Sequence, residues 1–172
     1  MNDYSPPLED MQFVLSQLAG MDAVAALPAH AEVSAELVDA ILREAGHFAG
    51  QVLAPLNRVG DRIGAQLVDG QVKMPPGFKQ AYRQYVDAGW GGVGGPTAQG
   101  GQGLPHLVTA AIGEMWKAAN LAFSSNFLLT GGAVEALSRH GSPEQIGRYL
   151  PKMVSGDWGG VMNLTEPQAG SD

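Results

Sequence analysis

Val161 to Leu164 is the one stretch of this chain that reads as a full β-strand, and nothing else in the sequence offers to pair with it. A lone strand leaves amides and carbonyls open along both edges, so it cannot be the basis of a fold. The rest of the chain must therefore build its core from helices. The terminal strand would then be left exposed, disordered or paired with another copy.

The helical segments can be placed in chain order. Pro6 and Pro7 keep the start extended, and Met11, Val14, Leu15 and Leu18 then recur at helical spacing from Leu8 to Leu18. Gly20 and Pro28 bracket a loop or broken turn. Ser34 is an N-cap residue for a long helix whose inner face runs through Leu37, Val38, Ile41, Leu42, Ala45, Phe48, Ala49 and Val52. Pro55 withholds a backbone donor and kinks or ends that helix.

Leu67-Val68-Asp69-Gly70-Gln71-Val72 places Asp-Gly between two β-prone pairs, which predicts a tight hairpin. A hairpin of that size is expected to pack on the helices. A helix follows over about Gly77 to Ala88, with Phe78, Tyr82, Tyr85 and Val86 inward. Pro105 to about Ser125 is apolar on most sides and predicts a helix inside the bundle. Thr130 to His140 predicts another, closed by Gly141. Ser142-Pro143-Glu144-Gln145 is a capping box with proline at the first helical position, and Pro151 predicts an early end to the helix it opens.

Composition excludes several classes of function. The 172 residues are 45% hydrophobic and 16% charged, enough to bury a core. No cysteine is present, so disulfides and thiolate chemistry are excluded. A net charge of -7 argues against a nucleic-acid partner. No signal peptide and no window of roughly 18 apolar residues is visible, which predicts a soluble cytoplasmic protein without a membrane span. His30, His47, His106 and His140 lack metal-ligand spacing, and no metal is expected. Serines 124 and 125 have no partner histidine in motif spacing, so nucleophilic catalysis is not indicated.

Gly89-Trp90-Gly91-Gly92-Val93-Gly94 spells the dinucleotide fingerprint, but a helix precedes it and Pro96 follows it. The fingerprint needs a strand before and a helix after, so this stretch reads as a loop. The terminal segment is a better ligand candidate. Thr165 and Ser171 carry hydroxyls, Gly170 allows close backbone approach, and Pro167 ends the ladder by withholding an amide. A flat ring with several acceptors, or a phosphate, suits such donors.

Leu164-Thr165-Glu166-Pro167 with Ala169-Gly170-Ser171-Asp172 resembles the flavin-binding signature of acyl-CoA dehydrogenases. The likeness continues upstream through Gly141 to Gln145, Tyr149-Leu150-Pro151, Ser155-Gly156-Asp157 and Gly100 to Leu104. With Ala54 to Asp61 and Pro75 to Phe78, the chain is most similar to the 3-methylmercaptopropionyl-CoA dehydrogenase-like branch of that family.

The resemblance implies an all-α fold, a helical bundle of the acyl-CoA dehydrogenase N-terminal type, with helix resuming after Pro55 through Val59, a small hairpin and the first strand of a following β domain. It implies an N-terminal extension over 1–33, the helical domain over 34–157, and the start of a truncated middle β domain over 158–172. The implied cofactor is FAD, contacted by Met162, Leu164, Thr165, Gly170 and Ser171. Met162 stands where an aromatic residue is common in the family.

The implied substrate is an acyl-CoA thioester, met by Ser171 and bordered by Phe127, with Phe123 and Leu128 as further acyl-pocket candidates and core packing as their plainer role. An electron-transfer flavoprotein as acceptor and a homo-oligomer are implied for the full-length enzyme. No catalytic base lies in this chain, because the family's base is far downstream. Glu166 is accordingly expected to order its loop by accepting backbone hydrogen bonds. A fragment of this kind is expected to be inactive alone. An acyl-CoA oxidase-like flavoprotein and a non-catalytic helical interaction module are the alternatives.

Overall fold

The computed structural model describes residues 4–163 and 165–170. It is a helical bundle with one two-stranded antiparallel sheet, as the fold class requires. Helix α1 (Leu8–Phe13) continues through a wide π turn at Val14–Leu18, completing the amphipathic segment expected there. The following stretch is more ordered than its Gly20 and Pro28 brackets predict. It contains α2 (Met21–Ala25), opened by Gly20 in the left-handed region at φ 72°, and a 3-10 turn at Pro28–His30.

Helix α3 (Ala35–Phe48) is capped by Ser34, whose hydroxyl accepts from the Leu37 amide at 3.2 Å. Pro55 neither ends nor breaks the path of the chain. A π turn at Ala49–Leu53 leads into α4 (Ala54–Ile63), with Pro55 in its first turn, where the missing donor removes no helical bond. The local widening absorbs the ring that a regular α-helix would have to bend around.

The hairpin forms with the expected register: β1 (Gln66–Val68) pairs with β2 (Gln71–Lys73) so that Leu67 faces Val72. Asp69 and Gly70 have φ of 52° and 75°, the paired positive values of a tight hairpin turn. The expected packing of this hairpin on the helices is not found. Leu67 and Val72 remain 75% and 68% exposed. Gly64, at φ 65° and ψ 173°, ends α4 in a conformation that turns the chain away before the first strand starts.

Helix α5 (Phe78–Asp87) is followed by a connection with 3-10 turns at Trp90–Gly92 and Thr97–Gln99, then α6 (His106–Ala119) and α7 (Leu121–His140). The sequence predicts one helix through Ser125 and a second from Thr130. The break instead falls at Asn120, and α7 runs unbroken through Gly131 and Gly132. Asn120 is buried with φ -159°. Its Oδ1 accepts from the Phe123 amide at 3.0 Å, capping α7, while its Nδ2 donates to the Leu53 carbonyl at 3.1 Å. An asparagine satisfied on both sides competes with the helical backbone and wins.

Helix α8 (Pro143–Val154) carries the capping box in both directions: Gln145 N donates to Ser142 Oγ and Ser142 N donates to Gln145 Oε1. Pro151 does not stop it early. The proline falls in the last turn, where it forfeits a single helical bond.

The core lies where α3 and the turn after it meet α6. Leu42, Ala45, Ala49 and Leu53 face Val108, Ile112, Met115 and Trp116, all buried. Gly46 of α3 and Gly50 of the turn after it leave room for the extended start of the chain. A Cβ at Gly46 would sit 2.7 Å from Pro6 Cγ, and one at Gly50 would sit 3.0 Å from the Tyr4 carbonyl. Among the described residues no helix is long and apolar enough to cross a membrane.

Candidate functional site

The terminal segment is positioned by α7 and α8. After α8 the chain turns at Gly156, whose φ of 85° suits only glycine, and whose carbonyl accepts from Tyr82 Oη of α5 at 2.8 Å. Trp158 N then donates to the Lys152 carbonyl at 3.0 Å, and Lys152 Nζ lies 4.5 Å from the centroid of the Trp158 ring. Tyr149 flanks the same indole at 6.1 Å. Gly159 and Gly160 cross α7, and the Gly160 amide donates to Thr130 Oγ1 at 3.0 Å.

Beyond Gly160 the chain leaves the bundle. Val161 to Asn163 is not a strand, because no neighbouring segment offers it a ladder. Met162 is 63% exposed and Thr165 is exposed. Glu166 and Ala169 close a tight turn by two reciprocal backbone hydrogen bonds of 2.8 and 3.2 Å. Gly170 is exposed, with open space around its would-be Cβ. Leu164, Ser171 and Asp172 lie outside the described residues.

Glu166 does shape the loop, by a different bond from the one expected. Its carboxylate Oε2 accepts from the Gln168 side-chain amide at 2.6 Å, while its carbonyl accepts from the Ala169 amide.

Met162, Thr165 and Gly170 are thus each exposed on the segment that leaves the bundle. Such a segment fits one side of a flat, acceptor-rich group. The described residues contain no group of three or more histidine and carboxylate side chains able to hold a metal.

Phe127 belongs to an aromatic cluster inside the bundle. Its ring stacks on Tyr85 at 4.0 Å with planes 8° apart, and meets Trp116 at 5.6 Å and Phe123 at 5.3 Å edge-on. Phe123 is buried in that cluster, whereas Leu128, on the same helix, is 63% exposed. Helix α7 as a whole is apolar, yet only Phe123 and Ser124 of its twenty residues are buried. Its outward side carries the exposed apolar side chains Leu121 and Leu128 toward its N-terminal half.

The clamp between Thr130 and Gly160 was not read from the sequence. Its signal is a single threonine in the middle of an apolar helix, and a glycine pair just before the terminal motif.

Burial raises the Tyr85 phenol well above its ordinary value, with Tyr82 adding to the shift. Since the folded value lies above the unfolded one, the contribution to stability is complete below about pH 10 and is lost as pH rises toward the folded value. Replacing Tyr85 with Phe should therefore flatten the alkaline fall in unfolding midpoint that the parent shows above about pH 10. An unchanged alkaline slope in denaturant titrations would exclude Tyr85 as its source.

The chain belongs to the acyl-CoA dehydrogenase family: residues 36–157 match the family model described as the acyl-CoA dehydrogenase N-terminal domain. It is 44% identical over 169 residues to the 3-methylmercaptopropionyl-CoA dehydrogenase of Ruegeria pomeroyi, covering 98% of this chain and 29% of that protein. A butyryl-CoA dehydrogenase of Syntrophomonas wolfei is 34% identical over 175 residues, covering 99% of this chain and 28% of the relative. A broad-specificity linear acyl-CoA dehydrogenase of Mycobacterium tuberculosis is 30% identical over 177 residues, with 100% and 28% covered. The chain thus spans less than a third of the length of these curated relatives.

Proposed function

We propose that these residues form the N-terminal part of an FAD-dependent acyl-CoA dehydrogenase, which removes the α and β hydrogens of an acyl-CoA thioester. The observation that carries this reading is the exposed segment bearing Met162, Thr165 and Gly170, which leaves the bundle at α7 where the Gly160 amide meets Thr130. In this reading residues 1–33 are an extension, 34–157 the helical domain, and 158–172 the entry to a β domain. When bound, the flavin accepts the hydride that leaves the β-carbon of the substrate.

The work of this chain is to bind and orient. The backbone at Met162 and Leu164 and the Thr165 hydroxyl hold the ring edge, and Gly170 and Ser171 take the ribityl-phosphate side. Ser171 also meets the acyl-CoA. The outer side of α7 excludes water from the acyl group, and Phe127 backs that wall through its stack on Tyr85. The carboxylate base comes from residues outside this chain, so the 172 residues alone do not dehydrogenate. A cytoplasmic homo-oligomer that passes electrons to an electron-transfer flavoprotein completes the reading.

Thr165→Val tests it in a gene product that includes downstream residues, because the swap keeps size and removes the hydroxyl. FAD affinity should fall by about five- to tenfold, the worth of one net hydrogen bond, with a shifted flavin absorption band. Parent-like affinity and spectrum would remove Thr165 from the site.

A further inference from the structure

We propose that Thr130 is a positioning residue for the flavin-facing segment, fixing the point at which that segment leaves the helical bundle. The inference rests on the flavin reading above and assigns its geometry to a side chain that touches neither cofactor nor substrate.

Thr130 Oγ1 donates its one proton to the Asn126 carbonyl of the preceding turn at 2.9 Å. That bond commits the hydrogen to the helix and turns the oxygen lone pairs outward. The outward acceptor meets the Gly160 amide at 3.0 Å, a contact thirty residues distant in the chain. Gly160 is buried, so without this acceptor its N–H would be desolvated and unpaired.

The shape of α7 enforces the same crossing. Asn126, Thr130 and Ala133 lie at i, i+4 and i+7, one row along the helix. The segment that crosses this row has no side chains of its own. A Cβ at Gly160 would fall 2.6 Å from Ala133 Cβ, and one at Gly159 would fall 3.4 Å from Asn126 Oδ1. A bare backbone is thus seated on a row of small and polar side chains and pinned by one hydroxyl.

Thr165 lies five residues beyond this pin, a reach of roughly 16 Å for extended chain. With the pin intact, the segment starts from a fixed point on α7. Without it, the last firm attachment moves back to Trp158 and its bond to Lys152. The donors at Met162 and Thr165 then start from a less defined point, and more of the segment must be ordered at the moment of binding.

Two measurements test the proposal. In the 172-residue chain, hydrogen exchange at the Gly160 amide should be slowed, should accelerate by at least about fivefold in Thr130→Val, and should stay slow in Thr130→Ser. Fast exchange at Gly160 in the parent overturns the clamp.

In the gene product with downstream residues, Thr130→Val should weaken FAD by about five- to tenfold and shift the bound flavin band, and Thr130→Ser should restore both. Gly160→Ala, which displaces the segment sterically and leaves the hydroxyl in place, should give the same flavin phenotype as Thr130→Val. If the parent binds FAD and Thr130→Val matches it in affinity and spectrum, the positioning role falls and the flavin reading stands. If the folded parent binds no FAD, the flavin reading itself falls, and this role with it.

Discussion

Gly101→Ala should lower the stability of the chain by on the order of 3 kcal/mol or more, read as a fall in the urea unfolding midpoint. The added Cβ would lie 2.1 Å from the Gly95 carbonyl oxygen and 2.2 Å from its carbon. Both are backbone atoms, so no side chain can rotate out of the way. The backbone is also tied on both sides of the clash. Gly101 N donates to Pro96 O at 2.9 Å, Gln102 N to Gly92 O at 2.7 Å, Gly103 N to Gly95 O at 3.0 Å, and Leu104 N to Val93 O at 3.0 Å.

The connection between α5 and α6 is therefore a folded loop held by its own hydrogen bonds, and glycine at 101 is a condition of that closure. An unfolding free energy within about 0.5 kcal/mol of the parent would show that the loop yields without cost.

Trp116→Ala should destabilise by about 3–5 kcal/mol, the range for removing a large buried aromatic ring. Trp116 touches four rings: Phe48 of α3 at 5.5 Å, Tyr85 of α5 at 5.7 Å, Phe127 of α7 at 5.6 Å, and Trp90 at 5.3 Å. Its indole N–H donates to the Ala45 carbonyl at 3.1 Å, at the point where α3 widens into the π turn. Loss of the ring thus loosens three helices and the connection at once.

Trp116→Phe should recover most of the ring packing and lack only the bond to Ala45, costing about 1–2 kcal/mol. Equal losses for the two variants would mean that the hydrogen bond, and not the aromatic cluster, carries the energy. Under the proposed function the cluster also backs the acyl site, because Phe127 is held against Tyr85 and Trp116.

Features governed by neighbouring residues could be read from the sequence. Ser34 and the Ser142–Gln145 box cap their helices, and Asp69-Gly70 makes its turn, because each needs only atoms within a few residues. Features decided by distant partners could not. Asn120 splits the predicted helix because Leu53, sixty-seven residues away, offers a carbonyl to its amide. Pro55 does not end the helical path because a π turn forms just before it.

The hairpin closes by its local turn yet stands clear of the helices, since local rules fix pairing and say nothing of what lies beneath. Val161 to Asn163 has strand composition and no ladder, because a strand is a property of a pair. At the candidate site, Thr165, Gly170 and Ser171 stand out in the sequence by their chemistry, and Met162 and Leu164 only through the family resemblance. Thr130 was not, since a mid-helix threonine usually spends its hydroxyl on its own helix.

The most direct test is the flavin content of the native gene product that carries this sequence, purified without added cofactor and then mixed anaerobically with acyl-CoA thioesters. A yellow protein holding FAD in stoichiometric amount, bleached by at least one acyl-CoA, is the predicted result. A cooperatively folded product that neither retains nor takes up FAD would contradict the assignment of the terminal segment to a flavin.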